Sequence, residues 1–304
     1  MIKCNEIVSD VEKYYDTIRS ARDFYLSVET EKLLQIPSYY NITKELSEAV
    51  FDYNKAVYSG EDETADKLYE KVEALKKKRD DFEEKHGVIR NSFKCKLCKD
   101  TGYDGARRCV CFFDNVTKKC YEELGVSPPR LHGFDEDTLS TKNGLSSTYA
   151  KLKVYAENFR IGSKNLIITG KTGTGKSFLA EAIAKKVAEN KNVALFLSSV
   201  TLNEIAIDNI RSSSPSARID DKILQTCDLL VIDDLGSEKL LNKITVENLY
   251  TLISARLINQ KPFIITTNFT MDELLIRYGD RLFSRLTGKN TVTLTLNGKD
   301  LRKA

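Results

Sequence analysis

The run Gly170-Lys171-Thr172-Gly173-Thr174-Gly175-Lys176-Ser177 has the spacing G-x-x-x-x-G-K-[ST], the pattern of a loop that cradles phosphates. Its glycines let the backbone curl so that successive amides face one anion. The helix that follows adds the partial positive charge of its N-terminus. In that role Lys176 reaches the β- and γ-phosphates of a nucleotide, and the Ser177 hydroxyl ligates Mg2+. A second motif, Leu229-Leu230-Val231-Ile232-Asp233-Asp234, is an apolar strand ending in two carboxylates. Ligands of open α/β sheets sit at the C-terminal ends of strands. Asp233 is therefore placed to hold the magnesium, and Asp234 to orient or deprotonate an attacking water. A third run, Pro262-Phe263-Ile264-Ile265-Thr266-Thr267-Asn268, ends in a neutral amide suited to holding that water. Asn268 is equally suited to forming a turn.

The thiols form a separate constellation. Cys95-x-x-Cys98 and Cys109-x-Cys111 are joined by a short loop carrying Gly102 and Gly105. In a reducing cytosol two close pairs of this kind read as a four-thiolate Zn2+ site. Lys94, Lys96, Lys99, Arg107 and Arg108 offset its negative charge. A redox pair is the rival, although nothing nearby resembles a thioredoxin unit. Cys120 is a substitute ligand, and Cys4 and Cys227 read as ordinary thiols.

These residues need elements to position them. From Asn165 onward the chain alternates strand and helix: strands Asn165–Thr169, Val193–Leu197, Asp228–Ile232, Pro262–Thr267 and Thr291–Leu296, and helices Lys176–Glu189, Val200–Ile210, Thr245–Asn259 and Met271–Leu286. That alternation predicts an α/β fold, a parallel sheet with helices on both faces. Before it, residues 1–90 read as helix. Ile42, Leu46, Ala49, Tyr53 and Ala56 make one apolar seam, and Leu68, Val72, Leu75, Arg79 and Phe82 a second seam with one charged member. Ser59-Gly60-Glu61-Asp62 marks a turn between them, so a helical hairpin is expected, either structural or a partner-binding arm. The expected domains are 1–90 helical, 91–130 zinc-binding, 131–164 linker with a helix at Thr148–Phe159, and 165–304 ATPase.

The run from Asn165 onward resembles the AAA+ ATPases, and within them the bacterial helicase loaders of the DnaC/DnaI type. Gly170–Ser177 matches their Walker A, Asp228–Gly236 their Walker B, and Thr266-Thr267-Asn268 their sensor 1. The segment Gly279-Asp280-Arg281-Leu282-Phe283-Ser284-Arg285-Leu286 looks like their box VII helix. By that match Arg285 is an arginine finger entering a neighbouring subunit's ATP site, Arg281 supports it, and Arg302 falls at sensor 2. The resemblance implies ATP-dependent self-association and a replicative DNA helicase and single-stranded DNA as partners. Some loaders also carry an N-terminal zinc-binding region, which the cysteine cluster resembles. Two departures stand out. Asp233-Asp234 replaces the usual Asp-Glu, so hydrolysis is expected to be slow. Only about eighteen residues follow Leu286, short for a helical lid, as in helicase loaders and the transposition helper IstB.

Arg211 and Arg218 flank Ser212-Ser213-Ser214-Pro215-Ser216, offering cations and hydroxyls to a phosphate backbone. A solvated surface loop fits the same residues. Composition bounds the rest. Lys+Arg 47 against Asp+Glu 44 leaves +3, which argues against a wholesale nucleic-acid coat but permits a local patch. No apolar run long enough to span a membrane and no signal-peptide core is present, so a cytoplasmic protein is expected. The leading expectation is a Mg-dependent ATPase that loads a hexameric helicase. A transposition helper and a nucleotide-gated binder of single-stranded DNA with little hydrolysis are the alternatives.

Overall fold

A computed structural model describes residues 2–90, 92–136, 146–211, 222–241, 244–298 and 300. The chain divides into two compact units, Lys13–Gly102 and Met1–Glu12 with Tyr103–Ala304.

Three helices dominate the N-terminal ninety residues: α1 (Ile2–Leu33), α2 (Pro37–Ser59) and α3 (Asp62–Lys85). Pro37 opens α2 where its missing N–H costs nothing, and Gly60 closes it while Glu61 N donates to Ala56 O at 3.0 Å. The two expected seams meet: Leu46 and Ala49 pack on Val72 and Leu75, with Val50 and Tyr53 beside them. At the other end of this pair the Glu83 carboxylate is fully buried. It accepts from Tyr39 Oη at 2.6 Å and from Arg90 Nη2 at 2.6 Å and Nε at 2.8 Å. Burial works against the charge, but these donors outweigh it and hold Glu83 below the ordinary carboxylate range. The helical hairpin is present, and the long α1 precedes it.

The second unit carries the two-residue strands β1 (Tyr103–Asp104) and β2 (Arg107–Arg108), then α4 (Val110–Glu123) and α5 (Ser146–Glu157). The alternating region follows: β3 (Asn165–Gly170), α6 (Lys176–Glu189), β4 (Ala194–Ser198), α7 (Ser199–Arg211), α8 (Lys222–Thr226), β5 (Leu229–Asp233), α9 (Ile244–Ile258), β6 (Phe263–Thr267), α10 (Met271–Leu286) and β7 (Thr291–Leu296). Strands β3 to β7 form one parallel sheet in the order β4-β5-β6-β3-β7.

The expected α/β class holds because the strands alternate and both sets of side chains are covered. Leu166, Ile168, Ala194, Phe196, Leu229, Val231 and Ile264 pack with Leu179, Ile183 and Val187 of α6 and Leu152 of α5. The intervening Ile167, Leu195, Leu230, Ile232 and Ile265 are also buried, on the face where α7 meets β4 and β5. Tyr121 of α4 covers the β4 edge, donating to Phe196 O and accepting from Phe196 N at 2.7 Å. Burial pushes its phenol up to about 12.

Candidate functional site

The strand order determines what can meet. β6 lies between β5 and β3, so the end of β6 separates the loop after β3 from the carboxylates after β5. Asn268 occupies that end. Its Oδ1 accepts from Lys176 Nζ at 2.8 Å, and its Nδ2 donates to Asp234 Oδ1 at 2.6 Å. Thr172 Oγ1 lies 3.4 Å from the same Oδ1. The structure thus brings together Lys176, Asn268 and Asp234, three residues far apart in sequence.

The phosphate loop itself is tightly wound. Gly175 caps α6 at φ +94, a left-handed conformation that L side chains rarely adopt. Lys176 is buried, and its Nζ also donates to the carbonyls of Gly170 at 2.8 Å and Lys171 at 2.9 Å. Thr174 Oγ1 ties back to Lys171 O at 2.9 Å. Ser177 follows on the first turn of α6, and Gly173 at the loop's middle faces the Asp300 carboxylate, which lies where a Cβ would be.

Opposite the loop, Asp233 accepts from Thr266 Oγ1 at 2.6 Å, and Thr266 Oγ1 accepts from Asp234 N at 2.8 Å. Leu235 N donates to Thr266 O, and Thr267 Oγ1 donates to Leu235 O at 2.6 Å. Asp234 is held at φ +54, a strained value for a residue other than glycine. In the sequence Thr266 stands only as a member of the Thr266-Thr267-Asn268 run, with no role of its own. Its signal is a hydroxyl pair, Thr266-Thr267, at the end of an otherwise apolar strand, in register with a strand that ends in carboxylates. The donor set suits a hard cation: the Asp233 carboxylate and the Ser177 hydroxyl are oxygen ligands of the kind Mg2+ takes. The loop's amides and Lys176 suit a polyphosphate.

Arg281 and Arg285 stand on α10, and both meet Tyr250 of α9. The Arg281 guanidinium lies 4.1 Å from the ring centroid, and Arg285 Nη2 is 3.5 Å from the hydroxyl. Hydrogen bonds from Arg285 first and Arg281 second draw this half-buried phenol down to about 8. Arg302, Arg218 and Ser212–Ser216 lie outside the described residues, and Arg211 closes α7.

The cysteine cluster is local to residues 95–111. The sulfurs of Cys95, Cys98, Cys109 and Cys111 all lie within 4.8 Å of one another. Zn–S bonds of about 2.3 Å in a tetrahedron put sulfurs about 3.8 Å apart, so four thiolates at this spacing fit zinc. The buried Asp100 accepts from the amides of Cys95 at 2.8 Å and Lys94 at 3.0 Å, which shapes the first knuckle. Cys120, also buried, is not among the grouped thiols. Among the described residues no helix is long and apolar enough to cross a membrane.

Residues 150–292 match the model of the IstB-like ATP binding protein family. The replicative helicase loader DnaC of Escherichia coli K12 is 25% identical over 187 residues, 61% of this chain and 75% of that protein. The replicative helicase loader DnaI of Bacillus subtilis is 29% identical over 125 residues, 40% of this chain and 38% of that protein. A crystal structure of the DnaC helicase loader aligns at TM-score 0.45 and 24% identity over 59% of this chain and 99% of that one.

Proposed function

We propose that this chain, which carries an IstB-like ATP-binding domain and is homologous to the replicative helicase loaders DnaC and DnaI, is a Mg-dependent ATPase. In this reading it loads a hexameric replicative helicase onto single-stranded DNA in the cytoplasm. The observation that carries the reading is Asn268 seated between Lys176 and Asp234. Each belongs to a different strand end, and together they surround the place where a γ-phosphate and its attacking water must sit.

The roles follow from the chemistry present. Residues Gly170 to Gly175 wrap the phosphates with backbone amides, and Lys176 neutralises the β- and γ-oxygens. Ser177 and Asp233 would hold Mg2+, which when bound would supply positive charge against the phosphates. Asn268 and Asp234 fix the water. Arg285, supported by Arg281, faces outward on α10 to complete the site of a neighbouring chain, so turnover is a property of the assembly. The domain reading remains 1–90 for grip on the helicase, 91–130 for zinc, 131–164 as linker and 165–304 as ATPase, with Arg302 at sensor 2.

The test is a loading assay with the full chain, ATP, Mg2+, single-stranded circular DNA and the replicative helicase of its source. ATP-dependent unwinding that disappears with Lys176→Ala supports the reading. Intact ATP binding with no helicase association would overturn it. The family description favours a second reading, a transposition helper of the IstB type, which requires ATP-dependent association with a transposase instead.

A further inference from the structure

The turn after β5 contains a charged group with no part in the chemistry above. Glu238 lies five residues beyond Asp233 and is 2% exposed. Its Oε2 accepts from Gly236 N at 2.9 Å, inside that same turn. Its Oε1 accepts from Tyr278 Oη on α10 and lies 3.5 Å from Arg277 Nη2. Arg277 also donates to Glu238 O, and its guanidinium lies 5.5 Å from the Phe269 ring centroid. That ring in turn occupies the space a Cβ on Gly236 would need. A buried carboxylate is costly unless both of its oxygens are satisfied. Here the turn satisfies one oxygen and α10 the other.

What lies next on α10 gives this anchor a consequence. Gly279, the residue after Tyr278, has φ +77 and ψ 162, which breaks the helix into two segments. Only glycine adopts this conformation without strain. The first segment begins at a capping box, where Thr270 N donates to Glu273 Oε2 at 2.7 Å and Glu273 N to Thr270 Oγ1 at 3.3 Å. The second segment carries Arg281 and Arg285. Glu238 therefore grips α10 at the last residue before the break, and the cations begin three residues after it.

We propose that Glu238 is a positioning residue for the arginine pair: by anchoring Tyr278 and Arg277 to the turn behind Asp233-Asp234, it fixes the angle at which Arg281 and Arg285 leave the Gly279 break toward a neighbouring chain. The inference rests on the shared-site reading given above. It assigns Glu238 to the site its chain completes in the neighbour, not to the site its own chain contains, although the residue is joined to both.

Mixing experiments separate these possibilities. The full chain is assembled with ATP, Mg2+ and an oligo-dT strand, and turnover is measured for Glu238→Gln and for the milder Tyr278→Phe. Both variants are expected to bind ATP like the parent and to lose turnover, about tenfold or more for Glu238→Gln and a few-fold for Tyr278→Phe. Added Lys176→Ala chains, which donate a correctly placed arginine pair, should restore several-fold turnover to either variant. Added Arg285→Ala chains should restore none. Rescue by Arg285→Ala would place the role of Glu238 in its own chain's site, rescue by neither would make it purely structural, and parental turnover in both variants would leave it no role. Any of these overturns the proposal while leaving the shared site intact. Failure of Lys176→Ala and Arg285→Ala to complement each other overturns the shared site itself and the proposal with it.

Discussion

Asn268 Nδ2 donates to Asp234 Oδ1 at 2.6 Å, joining the ends of β6 and β5. The amide orientation is fixed by its surroundings. Lys176 Nζ, a donor only, lies 2.8 Å from Oδ1, so a flipped amide would oppose donor to donor and acceptor to acceptor. Asn268 is thus a neutral spacer between a fixed cation and a fixed anion, each of which binds it through the correct end.

Changing that neutrality should be more harmful than removing it. Asn268→Ala loses a water-positioning group and is expected to lower turnover by about 10- to 1000-fold with little change in ATP affinity. Asn268→Asp sets a second carboxylate against Asp234, where like charges resist ionising together. It should lose at least as much turnover and also displace Lys176 toward the new charge, altering ATP affinity. Calorimetric titration beside steady-state rates checks both. Equal turnover in Asn268→Ala would reduce the residue to a turn former.

The knuckle at residues 95–111 gives a metal prediction. Protein purified without chelator should hold about one zinc per chain, and Cys98→Ser should lose it. Asp100→Ala keeps all four thiols but deprives the amides of Lys94 and Cys95 of their acceptor. Loss of such outer support typically weakens metal affinity by about 10- to 100-fold. Chelator competition measures this directly, and unchanged zinc retention would make Asp100 a loop residue only.

Tyr250 supplies a pH signature. Its phenol ionises at about 8 because the guanidiniums of Arg285 and Arg281 favour the phenolate. The folded value lies below the ordinary 10.0. The stabilisation is therefore complete above pH 10, grows in from about 8, and is absent below that. Ultraviolet titration should show one tyrosine ionising near 8 that vanishes in Tyr250→Phe. In Arg285→Ala, which removes the leading cause, that titration should move upward.

Much of this arrangement was legible in the sequence because it is local. The phosphate loop, the acidic strand end and the helices Lys176–Glu189 and Met271–Leu286 follow from short-range spacing, and the seams of α2 and α3 from helical periodicity. What escaped is non-local. Thr266 acts through register between β5 and β6, Glu238 through contact with a helix 40 residues later. Tyr250 meets Arg285 across two helices, 35 residues apart. The break at Gly279 also went unread, because its apolar pattern continues through Leu274, Tyr278, Leu282 and Leu286, all buried. The pattern records which side faces the core and not whether the backbone stays helical.

The Asp300 carboxylate lies against Gly173 in the phosphate loop. A helix N-terminus with inward-facing amides attracts any anion, and a carboxylate at such an end is stabilised by about 0.3 to 1 kcal/mol. A triphosphate seeks the same amides, so ATP must either displace Asp300 or bear its charge at close range. Asp300→Asn removes the competing charge while keeping shape. It should tighten ATP binding by about two- to fivefold, the size of that stabilisation expressed as an affinity. Because the effect is electrostatic at a partly open loop, the gain should shrink as salt is raised from low to high ionic strength. Lys176→Ala in the Asp300→Asn background should still fail to bind ATP, since the amides alone lack the cation for the β- and γ-oxygens. Weaker ATP binding by Asp300→Asn in the presence of Mg2+, with unchanged binding in its absence, would reverse the sign: the carboxylate would then be helping to hold the metal.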